Sequence, residues 1–227
     1  MKMRPHAQGD MAARLRDDRA AALALTPVSR EIAERLDRYV ELLLRWQQTT
    51  QLIGDNTIPN LWTRHIADSL QLLDLAPEAR VWADLGSGAG LPGLVLACAL
   101  ADRPGAKVHL IESQSKKSAF LREATRLLDV PAIPRHGRIE SVLAGLADPV
   151  DVVTARALAP LVQLLDYAHP LLKRSAKGLF PKGQDVAAEL TEAARCWIME
   201  FDLMPSKTSR HSSIVLVSRA ERRQASP

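Results

Sequence analysis

Mostly apolar residues recur at helical spacing in the first third of the chain. Ser29 belongs to the residue types that cap helices, and the positions after it that share one helical face are Ile32, Leu36, Tyr39, Val40, Leu43 and Gln47. This spacing predicts a helix from Ser29 to about residue 49. A second helix is predicted from about residue 59 to residue 73, after a turn cluster at residues 51–56. Residues 1–27 are polar and rich in Ala and Arg, which predicts a loosely ordered or helical extension.

From Val81 onward, short apolar runs alternate with helical patterns. The predicted strands are residues 81–85, 107–112, 132–136, 151–155 and 178–181, and the predicted helices between and after them are residues 91–101, 116–128, 139–146, 158–172 and 184–197. Residues 197–204 and 213–217 predict an antiparallel pair at the end. Repeated βα units predict an α/β fold, with a mostly parallel, seven-stranded sheet covered by helices on both faces.

The first predicted strand runs directly into the glycine-rich segment DLGSGAGLPG, residues 84–93. Four glycines would weaken a strand or a helix, but at a strand-to-helix turn they let the backbone bend and approach a ligand closely. The helix that follows points its first N–H groups into the same space. The segment therefore predicts a binding site for a nucleotide-like ligand.

The spacing of the glycines is compatible with two ligands. Residues 88–93 satisfy G-x-G-x-x-G, the dinucleotide pattern, whereas Gly86, Ser87, Gly88 and Gly90 form the G-x-G-x-G turn typical of S-adenosylmethionine enzymes. Asp84 would repel a pyrophosphate but would attract the sulfonium and ammonium groups of S-adenosylmethionine. The charge favours the methyl donor. A NAD-dependent oxidoreductase and a non-enzymatic RNA-binding protein with a nucleoside pocket stay open as alternatives.

The ends of three later strands supply further candidates for contacts with the ligand. Glu112 could accept both hydroxyls of a ribose, in NAD as well as in S-adenosylmethionine, or could cap the helix that begins near Ser115. Ile139 and Glu140 follow the third strand, where an adenine ring would lie. Arg156 would emerge beside the ligand crevice, or would form a salt bridge to a neighbouring helix.

The fourth strand end lacks the Asn/Asp-Pro-Pro-aromatic segment typical of enzymes that methylate exocyclic amines. Methylation of cytosine C5 needs a cysteine nucleophile, but Cys98 falls in the first βα helix and Cys196 far downstream. An acceptor with a free lone pair, such as guanine N7, needs neither a nucleophile nor a general base. Catalysis would then consist largely of aligning the lone pair of the acceptor with the methyl group and its sulfonium leaving group.

The composition narrows the choice of binding partner and of cellular compartment. The 227 residues are 47% hydrophobic and carry a formal net charge of +4, with five Lys or Arg against one Glu in residues 205–227. This excess suits a phosphate-rich partner, or is simply solvated charge at a terminus. Two scattered cysteines predict a reducing cytoplasm and no metal site. No signal peptide and no apolar run of membrane-spanning length is present, so we expect no membrane association.

The chain resembles the bacterial guanine-N7 methyltransferases of small-subunit ribosomal RNA, the family of glucose-inhibited division protein B. The resemblance extends from about Tyr39 to Val217 and rests on these matching segments: RHxxDS (64–69), DLGSGAGLPG (84–93), IES (111–113) with KK (116–117), RIE (138–140), TARA (154–157) and KG (182–183). It leaves the first thirty or so residues and the Arg-rich tail outside.

This resemblance implies a class I, Rossmann-like methyltransferase fold with an N-terminal helical extension. It implies S-adenosylmethionine as the methyl donor and a guanine in the 530 loop of 16S rRNA as the acceptor, in naked rRNA or in the small ribosomal subunit. The expected donor contacts are Asp84, Gly86, Ser87, Gly88, Gly90, Leu91, Glu112, Ile139, Glu140 and Arg156. No catalytic nucleophile or base and no metal is expected; Arg156 and Lys182 are candidates for positioning.

We expect a cytoplasmic monomer with a basic extension (1–27), a helical segment (28–78), a methyltransferase domain (79–218) and a basic tail (219–227). The family usually has Asn where Gln51 stands, for which we expect a local adjustment. On the RHxxDS segment, Arg64 and Asp68 are one helical turn apart and can pair. For His65 a packing role and a role at the crevice stay open.

Overall fold

Two long helices form the N-terminal part of the chain. The computed structural model describes residues 5–223, with side chains from residue 10 onward. Helix α1 comprises Pro5–Leu25 and α2 comprises Arg30–Gln47. The hydroxyl of Ser29 caps α2 by accepting a hydrogen bond from the N–H of Ile32 at 3.3 Å, as the sequence predicts.

The loop after α2 is held by Gln47, the last residue of that helix. Its side-chain oxygen accepts hydrogen bonds from the N–H groups of Leu52 and Ile53 at 2.8 and 3.1 Å, and its Nε2 donates to the carbonyl of Ile53. Gln51 is exposed. The longer side chain at position 51 therefore leaves the loop intact, because a different glutamine holds it.

The second predicted helix, residues 59–73, is not continuous. A 3₁₀ segment at Asp55–Asn60, which contains Pro59, leads to a π-helix at Trp62–Ala67 and then to the short helices α3 (Asp68–Leu70) and α4 (Leu72–Leu75). Proline lacks the N–H that a longer α-helix would use here. The carboxylate of Asp18 on α1 accepts the N–H groups of Trp62 and Thr63, so the π-helix takes its N-terminal partner from another helix.

Seven strands form one sheet, as the sequence pattern predicts, and their order in it is β3-β2-β1-β4-β5-β7-β6. Their bounds are β1 Val81–Leu85, β2 Lys107–Glu112, β3 Ala132–His136, β4 Val152–Thr154, β5 Lys177–Lys182, β6 Trp197–Pro205 and β7 Ser213–Arg222. The first five strands are parallel, and β7 pairs antiparallel with both β5 and β6. The strand order reverses between β1 and β4, which is where such sheets open a crevice for ligands.

Helices cover both faces of this sheet. Their bounds are α5 Gly93–Ala99, α6 Ser115–Leu128, α7 Ile139–Ala144, α8 Leu161–Leu172 and α9 Val186–Cys196. One core includes Tyr39, Trp82 and Phe120, and the core on the other face includes Leu165 and Trp197. The apolar β1 strand is buried by both. The expected α/β architecture is confirmed.

Both predicted terminal segments contain regular structure. Residues 5–25 of the N-terminal extension form α1, and Arg19 on it binds the carboxylate of Asp37 on α2 at 2.6 and 2.8 Å. Strand β7 continues to Arg222, so residues 219–222 of the predicted tail are part of the sheet. Residues 1–4 and 224–227 of these two segments lie outside the described residues. In the described range, no helix is long and apolar enough to cross a membrane.

Candidate active site

The glycine turn after β1 depends on backbone angles that favour glycine. Gly86, Gly88 and Gly90 have φ angles of 66°, 54° and 84°. A Cβ atom at Gly86 would lie 2.6 Å from Cδ1 of Leu158, so the turn also has no room for a side chain there. From the other side, the buried hydroxyl of Tyr39 donates to the carbonyl of Ala89 at 2.7 Å. Helix α2 thereby supports the turn.

Asp84 is fully buried beneath the turn. Its Oδ2 accepts the N–H of Gly93, the first residue of α5, at 3.1 Å, whereas its Oδ1 has no hydrogen-bond partner among the described residues. Burial raises the pKa of this carboxyl from 3.8 to about 7, although the positive charge of Arg156 opposes the shift. One oxygen therefore holds the start of α5, and the other is a buried acceptor without a partner among the described residues.

Glu112 connects the end of β2 to the glycine turn. Its Oε2 accepts the N–H of Gly88 at 2.9 Å and its Oε1 accepts the N–H of Gln114, the residue before α6, at 2.7 Å. The helix-capping alternative is thus realised. Each carboxylate oxygen still has a further lone pair, so the same side chain can accept ribose hydroxyls.

A cavity of about 360 Å³, the glycine-turn cavity, opens above these residues. Of the ten predicted donor contacts, five line it: Gly86, Gly88, Glu112, Ile139 and Glu140. Asp84, Ser87, Gly90 and Leu91 are buried on the inner side of the turn and do not line it. Tyr167 on α8 lines the cavity and was not predicted, because its place in an apolar helical pattern indicates only packing.

A second cavity of about 810 Å³, the large cavity, adjoins the first. Ala157 and Leu158, which follow β4, line both cavities. Ala157 has a φ of 51°, which is uncommon for a residue other than glycine and marks a constrained turn at this boundary. The other walls include the RHxxDS segment, the end of β5, and hydroxyl side chains of the β6–β7 loop: Ser206, Thr208, Ser209 and Ser212.

Arg156 lies in the large cavity rather than in the glycine-turn cavity. Its Nη1 donates to the carbonyl of Arg64 at 3.0 Å and to Oδ2 of Asp68 at 3.4 Å, and its Nη2 donates to Nδ1 of His65 at 2.7 Å. The expected pair between Arg64 and Asp68 is absent from the described residues; Asp68 pairs with Arg156 instead. The salt-bridge alternative for Arg156 is thus present, while its Nε–H and one Nη2–H have no partner in the described part of the chain.

His65 is 8% exposed and is held on both ring nitrogens. Because a guanidinium can only donate, Nδ1 accepts from Arg156, so the proton lies on Nε2 and is donated to the Thr57 hydroxyl at 2.8 Å. Thr57 in turn donates to the carbonyl of Gly54 at 2.7 Å. Burial and the charges of Arg156 and Arg64 lower the pKa of His65 to about 3, so it is neutral.

Lys182, at the end of β5, forms a half-buried ion pair in the wall of the large cavity. Its Nζ donates to the carbonyl of Ala159 at 2.9 Å and to Oε2 of Glu189 at 2.7 Å. The same Oε2 accepts the N–H of Leu161 at 2.6 Å, at the start of α8. Glu189 was not singled out in the sequence, where it is one of several charges on a predicted helix.

The chain is similar to curated proteins of one family. A family model described as rRNA small subunit methyltransferase G matches residues 32–215. The chain is 60% identical over 205 residues to the ribosomal RNA small subunit methyltransferase G of Bradyrhizobium sp. strain BTAi1, with 90% of this chain and 92% of the relative covered. It is 56% identical over 201 residues to the same enzyme of Methylobacterium radiotolerans, covering 88% and 94%.

Solved structures with the same fold are more distant in sequence. The cofactor-bound Rv0187 from MTB superposes with a TM-score of 0.58 at 14% identity, covering 82% of this chain and 90% of that chain. A SAM-dependent methyltransferase from Aquifex aeolicus has a TM-score of 0.52 at 13% identity, covering 70% and 92%. These likenesses concern the fold alone, which is that of class I methyltransferases. With the family model and the curated relatives, they confirm the resemblance noted in the sequence: this chain belongs to the rRNA small subunit methyltransferase G family.

Proposed function

We propose that this protein transfers the methyl group of S-adenosylmethionine to N7 of a guanine in the 530 loop of 16S rRNA. The observation that carries this proposal is the contact between the two cavities at Ala157 and Leu158. A donor in the glycine-turn cavity and an acceptor base in the large cavity would meet there, beside Gly86. Membership of the methyltransferase family decides against the NAD-dependent oxidoreductase.

The residues of the glycine-turn cavity fit the methyl donor. Glu112 offers lone pairs at the end of β2, where the ribose hydroxyls would lie, and Ile139 and Glu140 begin α7, where the adenine would lie. The free Oδ1 of Asp84 is a buried acceptor without a partner in the described residues, which a cationic ligand would satisfy. When bound, S-adenosylmethionine would supply an electrophilic methyl group.

The protein's own task in this reaction is positioning. The lone pair of guanine N7 needs no deprotonation, so no general base is required, and alignment with the methyl group accounts for most of the catalysis. Arg156 and Lys182 are our candidates for positioning, because both line the large cavity and both are held by hydrogen bonds to neighbouring side chains.

A covalent intermediate on the protein is not part of the proposal. Cys98 is buried in α5, and burial raises the pKa of its thiol to about 12, which keeps it protonated. Cys196 is exposed at the end of α9. Neither lines either cavity. These placements support direct, in-line transfer.

The decisive experiment is methyl transfer to small ribosomal subunits from cells that lack this protein, with the modified nucleotide mapped. We expect one N7-methylguanine in the 530 loop, and a parallel reaction on naked 16S rRNA would identify the form that is recognised. A label found on another base would contradict the proposal. If no label entered either substrate, the non-enzymatic RNA-binding alternative would be favoured. We expect the protein to act in the cytoplasm, as a monomer.

Binding of the donor is tested separately. S-adenosylmethionine or its demethylated product should raise the melting temperature of the protein, whereas NAD should not. Stabilisation by NAD alone would contradict the assignment of the glycine-turn cavity.

A further inference from the structure

The large cavity contains two carboxylates, and they differ in how many of their oxygens are occupied. Both oxygens of Asp68 accept hydrogen bonds: Oδ1 from Gln71 and Thr208, each at 2.8 Å, and Oδ2 from Arg156. In Glu189, Oε2 accepts two hydrogen bonds, but Oε1 accepts none from the residues that the structure describes. Glu189 is therefore the carboxylate of this cavity with an oxygen left for a ligand.

The orientation of Glu189 is determined by its occupied oxygen. The N–H of Leu161 and the Nζ of Lys182 both donate to Oε2, at 2.6 and 2.7 Å, and the Lys182 side chain is 8% exposed. Two donors on one oxygen prevent the carboxylate from exchanging its oxygens without losing both bonds. Because Glu189 lines the large cavity and its side chain is 26% exposed, Oε1 is an acceptor that a ligand in the cavity can reach.

Lys182 adds a donor beside this acceptor. An ammonium group has three N–H donors, and two of those on Nζ go to Ala159 and Glu189, which leaves one. The wall consequently presents a donor next to an acceptor. Guanine carries the complementary pair, since its O6 accepts a hydrogen bond and its adjacent N1–H donates one. Adenine carries the reverse, since its N6 amino group donates and its N1 accepts.

We propose that Glu189 is a specificity-determining residue of this protein, whose Oε1 accepts N1–H of the acceptor guanine while Lys182 donates to O6. The inference rests on the proposed function and extends it from the transfer reaction to the choice of base. With adenine in the same place, its N6 amino group would oppose the donor Lys182, and its N1 would oppose the acceptor Glu189. A site whose donors and acceptors are left unpaired in this way rejects the wrong ligand.

The test uses the full-length protein and small subunits whose acceptor position carries guanine, adenine or inosine. Inosine keeps O6 and N1–H but lacks the 2-amino group. We expect the unaltered protein to methylate inosine within about threefold of guanine and to disfavour adenine by about a hundredfold in kcat/KM. Equal kcat/KM on guanine and adenine would overturn the proposal without any variant of the protein.

The variant Glu189→Gln reverses the polarity of the free position. The amide oxygen must take the place of Oε2 to accept from Leu161 and Lys182, which puts the NH₂ group where Oε1 stood. We expect the preference for guanine over adenine to fall at least tenfold, with unchanged affinity for the demethylated donor. Glu192→Gln is the matched control, because Glu192 lies on the same helix and pairs with Arg195 at the surface.

The outcomes separate this inference from the proposed function. If the unaltered protein transferred no methyl group to guanine-containing subunits, the proposed function itself would fail. If transfer occurred and Glu189→Gln lowered it equally on guanine and adenine, or left the ratio unchanged, only the role of Glu189 would be refuted. A purely structural role would produce the equal loss.

Discussion

Arg156 donates a hydrogen bond of 2.7 Å to Nδ1 of His65, which connects the end of β4 to the RHxxDS segment. Because His65 also donates to Thr57, the ring is fixed from both sides and stays neutral. The hydrogen bond leaves Nε–H and one Nη2–H of Arg156 without a partner in the described residues. Arg156 therefore keeps two donors for a ligand in the large cavity.

Replacing His65 tests whether this contact orients Arg156. His65→Ala removes the acceptor, and we expect transition-state stabilisation to fall by about 1–3 kcal/mol, the cost of an unpaired buried donor. His65→Asn keeps an acceptor near the place of Nδ1 and should retain most of the activity. The measurement is kcat/KM for methyl transfer, with melting temperature as the control for folding. Equal activity of His65→Ala and the unaltered protein would show that Arg156 needs no such support.

Asp84 should make the stability of the protein depend on pH. Its folded-state pKa of about 7 lies above the usual 3.8, so between these values the folded protein holds a proton that the unfolded chain has released. The contribution of this proton to the free energy of unfolding is fully present below pH 3.8 and is lost as the pH rises through about 7.

The variant Asp84→Asn removes that dependence. We expect its free energy of unfolding, relative to the unaltered protein, to increase from pH 5 to pH 8 by up to about 1.4 kcal/mol per pH unit. Urea unfolding at four pH values measures the difference. Affinity for S-adenosylmethionine should fall at the same time, because a neutral amide replaces the acceptor for a cation. A difference between the two proteins that stayed constant with pH would contradict the raised pKa.

Gly93→Ala tests the close contact between the start of α5 and β1. A Cβ atom there would lie 2.6 Å from Oδ2 of Asp84 and would also collide with Leu110. We expect a loss of about 1–3 kcal/mol in stability, as for other overpacked sites. Gly183→Ala is the matched control, since a Cβ at Gly183 meets no atom within 4 Å. Equal stability of the two variants in urea unfolding would argue against the contact.

Replacing Arg64 tests the electrostatic contribution to RNA binding. Its side chain is exposed at the large cavity. If it contacts a phosphate, Arg64→Gln should weaken binding to the small subunit and lower the slope of log K against log salt by about 1. Arg30→Gln serves as the control, because that exposed guanidinium pairs with Glu34 on its own helix. An unchanged slope would place Arg64 outside the RNA contact.

The strands and the glycine turn could be predicted because both depend on local sequence. Alternating βα units determine a parallel sheet, and glycines at residues 86, 88 and 90 indicate a turn that needs positive φ angles. The second helix was predicted as continuous and is not, because Asp18, more than forty residues upstream, caps the π-helix within it. Periodicity contains no signal for a partner of this kind.

The sequence by itself determined the fold class, the position of the ligand turn and the family, since these follow from residue types and spacings along the chain. Tertiary structure alone decided how the side chains pair. The helical spacing allowed Asp68 to pair with Arg64, but Asp68 binds Arg156, 88 positions away. Gln47 rather than Gln51 holds the loop after α2. It also placed Glu189 beside Lys182 in a shared cavity. The physical reason is that a hydrogen bond depends on distance and angle between atoms, which distant residues acquire only when the sheet and its helices have packed.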